Sequence, residues 1–421
     1  MPATTEPSDR LASIRIQGFR SLQDVTLDLS GLTVLIGDNG SGKSAVIEAI
    51  ETLRYFSGPG ANVGDYFEQH PWPVRGGHGK FSIEIEIAND HESSPRIHYE
   101  FAIVHNERGR LGVASERLVV SPLPGQSEPR RVIRREFADA DIPDPGQPGM
   151  FVHVHPNQMF LVMTQLANDP ARETQTTVEQ QAIRRVATAL KNIEVHVPFE
   201  TMAAWAARRT GRKSAMRESN ILQPTNRLDL LAANLGNAYH SLKNALGSDH
   251  WKETLEYVRL GLGDDIDDIP TNADAAGGQL AASIRYKSSG QVPAIALSDG
   301  TLAYLAFVAL LRLPSTRTLL AFDEPELHLH PGLLVRVLSM CESVAQSCPV
   351  VLATHSDRLL DALQEPAKSV VLCDLDENRA SRLIHPDEEM LAKWLTKYRG
   401  LGDIRSTGLL GAVIPRPEAS Q

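Results

Sequence analysis

Apolar residues along the chain follow three distinct patterns. Short, nearly unbroken apolar runs stand at Leu32–Ile36, Leu319–Phe322, Val350–Ala353 and Val370–Cys373. Runs without alternation are expected of strands in a parallel sheet that is covered on both faces. Helical spacing follows directly on the first run, with Val46, Ile47, Ile50 and Leu53 on one face. It recurs over 332–346, where Leu334, Val337, Leu338, Cys341 and Val344 share a face, so a helix crosses between two of the strands. Strict alternation marks Phe81–Ile87 and Ile97–Ile103, and the polar segment Asn89–Pro95 joins them into a hairpin with one buried face. Two shorter strands, Ile14–Ile16 and Val25–Leu29, come first, and Pro- and Gly-rich breaks at 122–129 and 143–149 end the β part. From about residue 178 helical spacing dominates, with Leu228, Leu231, Leu235 and Tyr239 on one stripe. No heptad pattern persists for three or four cycles and no internal repeat occurs, so a long coiled-coil arm is not expected.

These patterns predict an α/β protein whose head is assembled from both ends of the chain, residues 1–57 and 285–385. Residues 58–160 form a β-rich insertion, 161–284 a mainly helical lobe and 386–421 a C-terminal tail.

The chemistry enters at Gly37-Asp38-Asn39-Gly40-Ser41-Gly42-Lys43-Ser44, set between a strand and a helix. In such a loop the glycines let successive backbone N–H groups turn around a polyphosphate. Lys43 reaches the outer phosphates, and the Ser44 hydroxyl is placed to ligate Mg²⁺. The helix starting at Ser44 adds the positive end of its dipole. Gly37, Asn39, Gly40, Ser41, Gly42, Lys43 and Ser44 are therefore the expected nucleotide-binding residues. The strand Leu319–Phe322 ends in Asp323-Glu324-Pro325. One carboxylate there, Asp323, can hold the hydrated cation, and its neighbour Glu324 can polarise an attacking water. Leu297-Ser298-Asp299-Gly300-Thr301 opens an apolar helix, and Val350–Thr354 ends in His355. Ser298 is also a plain helix N-cap, a reading compatible with offering donors to a phosphate.

The order of loop, Ser-x-Gly, Asp-Glu and strand-end His resembles that of ABC-class P-loop ATPases, and within them the RecF/SMC-like and OLD-like (overcoming-lysogenization-defect) AAA family ATPases. Ile14–Leu22 resembles that group's first strand, Glu326–Pro331 its segment after the carboxylates, and Leu401–Ile404 with Gly408–Leu409-Leu410-Gly411 its tail. The middle of the chain matches weakly. The resemblance implies an ABC-type head with an antiparallel β subdomain, ATP and Mg²⁺ as cofactors, and a head-to-head homodimer. In that dimer Ser298 and Gly300 of one copy meet the γ-phosphate held by the other. It implies a γ-phosphate contact for His355. It also implies, for Gln165 in Met163–Leu166, contact with Mg²⁺ and the attacking water from between the lobes; a solvated glutamine is the alternative. Asp299 stands where many such chains have glycine, and Ala303 where many have a basic residue. Arg20 is a further candidate beside the nucleotide.

Small separate ATPases of this resemblance act beside a protein effector, often a TOPRIM-like nuclease, in anti-phage defence or DNA repair. Asp374-Leu375-Asp376-Glu377 evokes the acidic pair of that nuclease, but the chain beyond His355 is too short for the domain, so a separate partner is expected. The rival readings are a RecF-like repair ATPase that binds DNA by itself, a transporter's ATPase, disfavoured by the long interval from Lys43 to Ser298, and an ATP-dependent switch with negligible turnover.

Net charge is −10 over 421 residues, so nucleic acid must be met by a local basic patch if at all. Two runs qualify. Arg130-Arg131-Val132-Ile133-Arg134-Arg135 reads as a strand's exposed face. Arg208, Arg209, Arg212 and Lys213, with Arg217, read as a loop that could grip a phosphate backbone, though a solvated helix end is the commoner meaning. His328 and His330 lack the further ligands of a metal site. Cys341, Cys348 and Cys373 have no CxxC spacing and read as reduced core residues. The opening residues have neither the basic start nor the apolar core of a signal peptide, and Leu302–Leu311 is too short to cross a membrane. A cytoplasmic protein without membrane contact is the expectation.

Overall fold

The computed structural model describes residues 9–408, except 59, 70–78, 90–93, 106–110, 123–126, 138, 145–146, 154–156, 160, 162–177, 203–210, 212–213, 272–277 and 315. Two large sheets organise it. The first is antiparallel and eight-stranded, in the order β2-β1-β4-β5-β6-β7-β8-β9. It comprises β1 (Asp9–Phe19), β2 (Leu22–Asp28), β4 (Lys80–Asn89), β5 (Ile97–His105), β6 (Leu111–Val120), β7 (Arg130–Glu136), β8 (Asp139–Asp144) and β9 (Gln147–His153). The second has six strands in the order β10-β16-β17-β3-β18-β19. Its members are β3 (Leu32–Gly37), β10 (Ile193–His196), β16 (Leu319–Asp323), β17 (Val350–Ala353), β18 (Val370–Leu375) and β19 (Ser381–Ile384). All pairs in it are parallel except β18 with β19. Minor strands β11 (Asn220–Ile221), β12 (Ile266–Asp268), β13 (Gln279–Leu280), β14 (Ser283–Tyr286) and β15 (Gly290–Pro293) form two small sheets.

The parallel sheet separates two cores, and its unbroken apolar runs serve both at once. Leu35, Leu319, Ala321, Val351, Ala353, Val371 and Cys373 face the core shared with α1 (Lys43–Phe56), α2 (Val63–Gln69), α3 (Val178–Lys191) and the antiparallel sheet. Their neighbours Val34, Ile36, Leu320, Phe322, Val350, Leu352, Val370 and Leu372 face the other core. That core holds α4 (Leu235–Asn244), α5 (Ser248–Leu262), α6 (Asp299–Arg312) and α7 (Pro331–Val344), with residues of α8 (Asp357–Asp361), α10 (Glu388–Leu395) and α11 (Leu401–Ser406); α9 is Pro366–Ser369. Helix α6 is buried on all sides from Leu302 to Leu311, which explains its unbroken apolar run without a membrane. No described helix is long and apolar enough to cross a membrane, and none exceeds the 15 residues of α5.

Four placements differ from expectation. First, β1 and β2, expected within the head's first segment, pair with the strands of the insertion: β1 pairs Ile14 with Leu27 of β2 and with Ile85 of β4. Their half-buried alternation suits an antiparallel sheet with one wet face. Second, the segment expected to be mainly helical supplies β10, the parallel sheet's edge. Its four residues, Ile193-Glu194-Val195-His196, are all buried, and the two polar ones disguised the strand. Glu194 bonds the buried Arg317 and lies 3.4 Å from Arg227. Third, Leu228 and Leu231 precede α4 without being helical, and Ala232 is in the left-handed region at φ 56°. Fourth, β7 does not present all its arginines to solvent: Arg130, Arg131 and Arg134 are exposed, whereas Arg135 is fully buried 3.7 Å from the buried Glu116. Glu116 also accepts from Tyr99 Oη at 2.9 Å and Leu161 N at 2.8 Å, so the charge pair is hydrogen-bonded inside the sheet.

Candidate nucleotide site

The phosphate loop leaves the C-terminal end of β3, where β18 and β19 crowd it. A Cβ on Gly37 would lie 2.1 Å from the carbonyl oxygen of Cys373, so only glycine fits. Gly42, at φ 105°, is the N-cap of α1, and a Cβ there would meet Ser381 Oγ at 2.3 Å. Ser381 is itself held to Ser21 by N–H to carbonyl (2.8 Å) and hydroxyl to hydroxyl (2.7 Å), so both ends of the chain brace the loop. Helix α1 begins at Lys43, one residue earlier than expected, with no acidic residue in its first turn to offset the N-terminal dipole.

Lys43 is 4% exposed, and its Nζ donates to the carbonyl oxygens of Gly37 (2.9 Å) and Asp38 (3.0 Å). Burial pulls its pKa below the ordinary lysine value. Beside it Ser41 is buried with a hydroxyl that has no partner. From β16, Asp323 accepts a hydrogen bond from Ser44 Oγ at 3.2 Å, and burial pushes its carboxyl pKa up. Glu324 follows in the left-handed region at φ 49°, its N–H donating to Ala353 O at 2.8 Å. A non-glycine residue in that region costs about 1–3 kcal/mol and is characteristic of functional sites. Glu324 and His355, from separate strands, line a cleft of about 370 Å³ with Asn39, Gly40, Gly42, Lys43, Ser44 and Arg20. Arg20 is also left-handed, at φ 51°, and its guanidinium is tied to Glu48.

Two residues outside the expected set hold His355. Glu326 accepts from Thr354 Oγ1 at 2.9 Å and from the His355 N–H at 2.7 Å. On the other side Arg405 of α11 donates to His355 O at 3.2 Å and pairs with Asp357 at 3.3 Å. The glycine of the Leu401–Ile404 motif permits this: a Cβ on Gly402 would sit 2.1 Å from Asp357 O. The sequence signal for both lay in the two motifs noted after the carboxylates and in the tail.

Ser298 and Gly300 stand apart from the cleft. Ser298 is exposed and caps α6, its Oγ accepting from Thr301 N at 3.1 Å. Gly300 packs against the segment after Glu324, where a Cβ would lie 3.0 Å from His328 O. His330 accepts from Gly332 N and caps α7, and Asp376 accepts from the N–H groups of Asn378 and Ala380 in the β18–β19 turn. Gln165 and the run Arg208, Arg209, Arg212 and Lys213 lie outside the described residues. Arg217 is described and points inward.

The donor set fits a polyphosphate with a hard divalent cation. It combines a buried ammonium, an orphaned hydroxyl, an unneutralised helix N-terminus, and oxygen ligands on Ser44 and Asp323.

Residues 13–184 match a family model described as "AAA domain", and residues 181–361 one described as "AAA domain, putative AbiEii toxin, Type IV TA system". Among solved structures the chain is similar to an SMC head bound to the C-winged helix domain of ScpA, at 13% identity over 91% of this chain and 99% of that one, with TM-score 0.50. Also similar is the SMC head domain from Thermotoga maritima, at 14% identity over 90% and 99%, TM-score 0.43. A third is the Smc head with an extended coiled coil bound to the C-terminal domain of ScpA derived from Pyrococcus furiosus, at 13% identity over 92% and 99%, TM-score 0.49. No curated protein matches. The fold is that of an SMC/ABC-type ATPase head, and together with the AAA-domain matches it supports an ABC-type P-loop ATPase.

Proposed function

We propose that this chain binds and hydrolyses ATP as an ABC-class ATPase of the RecF/SMC-like, OLD-like group. In this reading it dimerises head-to-head on ATP and controls a partner effector, nuclease-like in chemistry, in anti-phage defence or DNA repair. The observation that carries the ATPase reading is the convergence of Lys43, Ser44, Asp323, Glu324 and His355, from the start of α1 and the ends of β16 and β17, around one cleft. Lys43 exchanges its two loop carbonyls for phosphate oxygens, and the Ser41 hydroxyl and the α1 N–H groups take others. Ser44 and Asp323 would hold Mg²⁺ from this chain, and the cation would supply charge that offsets the phosphates. Glu324 orients water for in-line attack on the γ-phosphate, and His355, fixed by Glu326 and Arg405, contacts that phosphate.

The dimer reading is supported by the exposed cap at Ser298, whose donors lie away from the cleft of their own subunit. The partner reading is supported by the resemblance and by the similar SMC head that was solved with a domain of a separate protein, ScpA.

Glu324→Gln tests the assignment. It should retain ATP binding by calorimetry, lose steady-state turnover by about 10²-fold or more, and accumulate a species of twice the mass in light scattering with ATP. Turnover at the wild-type rate would move the base elsewhere.

A further inference from the structure

The sequence places Arg217 at the end of a basic run, yet its side chain is 5% exposed and lies beneath the helix that Ser298 caps. It ends a short 3₁₀ turn, Ala215–Arg217, and reaches two segments at once. On one side its guanidinium donates to Thr201 O (3.1 and 2.9 Å) and Met202 O (2.9 Å). On the other it donates to Ala294 O (2.8 Å), Ile295 O (3.3 Å), Leu297 O (2.8 Å) and Asp299 Oδ1 (2.5 Å). Leu297 and Asp299 flank Ser298 directly. Only a rigid fork with five N–H donors can serve so many acceptors, and lysine cannot replace it.

Asp299 gives the contact a second purpose. A carboxylate in the first turn of α6 is favoured by the helix dipole, but it sits at the end that would receive a phosphate, and an unpaired carboxylate there repels one. The ion pair with Arg217 draws that carboxylate toward the protein interior.

We infer that Arg217 is a positioning residue for the Ser298–Gly300 signature: it fixes the backbone on both sides of Ser298 and neutralises Asp299, so that the cap can engage nucleotide held by a second copy. This rests on the dimeric ATPase proposed above. Arg217 touches no nucleotide in its own subunit, so its loss acts only in trans.

The test is complementation between inactive variants, with Lys43→Ala plus Ser298→Arg as the control mixture. Arg217→Met alone should bind ATP as the wild type does but turn over about tenfold or more slowly, the loss expected from removing charge-assisted hydrogen bonds. Arg217→Lys, which keeps a cation without the fork, should be intermediate, and it serves in place of Arg217→Met if that variant does not fold. Mixing either slow variant with Lys43→Ala should restore activity to the level of the control mixture, because the surviving composite site uses the phosphate loop of the Arg217 variant and the signature of the Lys43 variant. A control that restores activity beside an Arg217 mixture that does not would overturn this inference and leave the dimeric reading standing. A control that restores nothing would remove both. Wild-type turnover in Arg217→Met and Arg217→Lys would also overturn it.

Discussion

Replacing Lys43 with methionine should leave the nucleotide-free protein at least as stable as the wild type while abolishing its response to ATP. The ammonium is 4% exposed and its partners are two neutral carbonyls, those of Gly37 and Asp38. Two such acceptors only roughly offset the cost of desolvating a cation, and methionine keeps the length without the charge. We expect a change between zero and about 2 kcal/mol in favour of the variant. The advantage depends on pH in a defined way. Burial lowers the folded-state pKa below the ordinary 10.5, so below the folded value the wild type bears the full penalty. As pH rises from there toward 10.5, the folded wild type releases its proton while the unfolded chain keeps one. Wild-type stability therefore climbs in that window and the variant's lead shrinks. ATP reverses the order. Each hydrogen bond from the ammonium to a charged oxygen is worth about 1.5–3 kcal/mol, so losing two weakens binding by about 10²-fold or more. Thermal unfolding with and without ATP and Mg²⁺ reads both effects, since ligand binding raises the midpoint by mass action. A variant that keeps the ATP-induced shift, or whose nucleotide-free form is clearly destabilised, would refute the reasoning.

Three further outcomes follow from contacts around the site and the sheet edge. Glu326→Gln keeps one acceptor oxygen where two are used, by Thr354 Oγ1 and His355 N; turnover should fall about tenfold with ATP affinity nearly unchanged, read by steady-state kinetics and calorimetry. Gly402→Ala puts a methyl 2.1 Å from Asp357 O and must push α11 away, stretching the 3.2 Å contact of Arg405 with His355; denaturant melts should show a loss of about 1–3 kcal/mol, with slower hydrolysis. His196 is buried, stacked on Phe322 at 5.8 Å, and burial lowers its pKa to about 4 against an ordinary 6.5. The unfolded chain therefore takes up a proton that the folded one refuses as pH falls through that window, costing the wild type up to about 3 kcal/mol, and His196→Phe should lose less in urea melts compared above 6.5 and near 4.

What the sequence disclosed and what it concealed divide along physical lines. The four strands that bracket the nucleotide cleft were legible because burial on both faces leaves no room for polar residues, and unbroken apolar runs such as Val350–Ala353 are rare elsewhere. Strand β10 belongs to the same sheet but escaped notice: a buried histidine and a buried Glu194 bonded to Arg317 make an edge strand look like a solvated segment. Arg135 and Arg217 were hidden for the same reason, since a charge satisfied internally has the same letter as one in water. Lys43 and Asp323, expected at one site from their motifs, are brought together by the structure on either side of Ser44, whereas Arg135 and Arg217 are placed by carbonyls and carboxylates elsewhere in the chain. Thr201 and Ala294, which Arg217 joins, lie 16 and 77 residues from it along the chain, and only folding brings both to one guanidinium. That difference also predicts where substitution will be least forgiving. On the proposed ATPase reading, a cleft residue such as Lys43 should be needed only when ATP is present, whereas Arg217, Glu326 and Gly402 should shape the surfaces that ATP meets, and their loss should be felt in turnover before it is felt in binding.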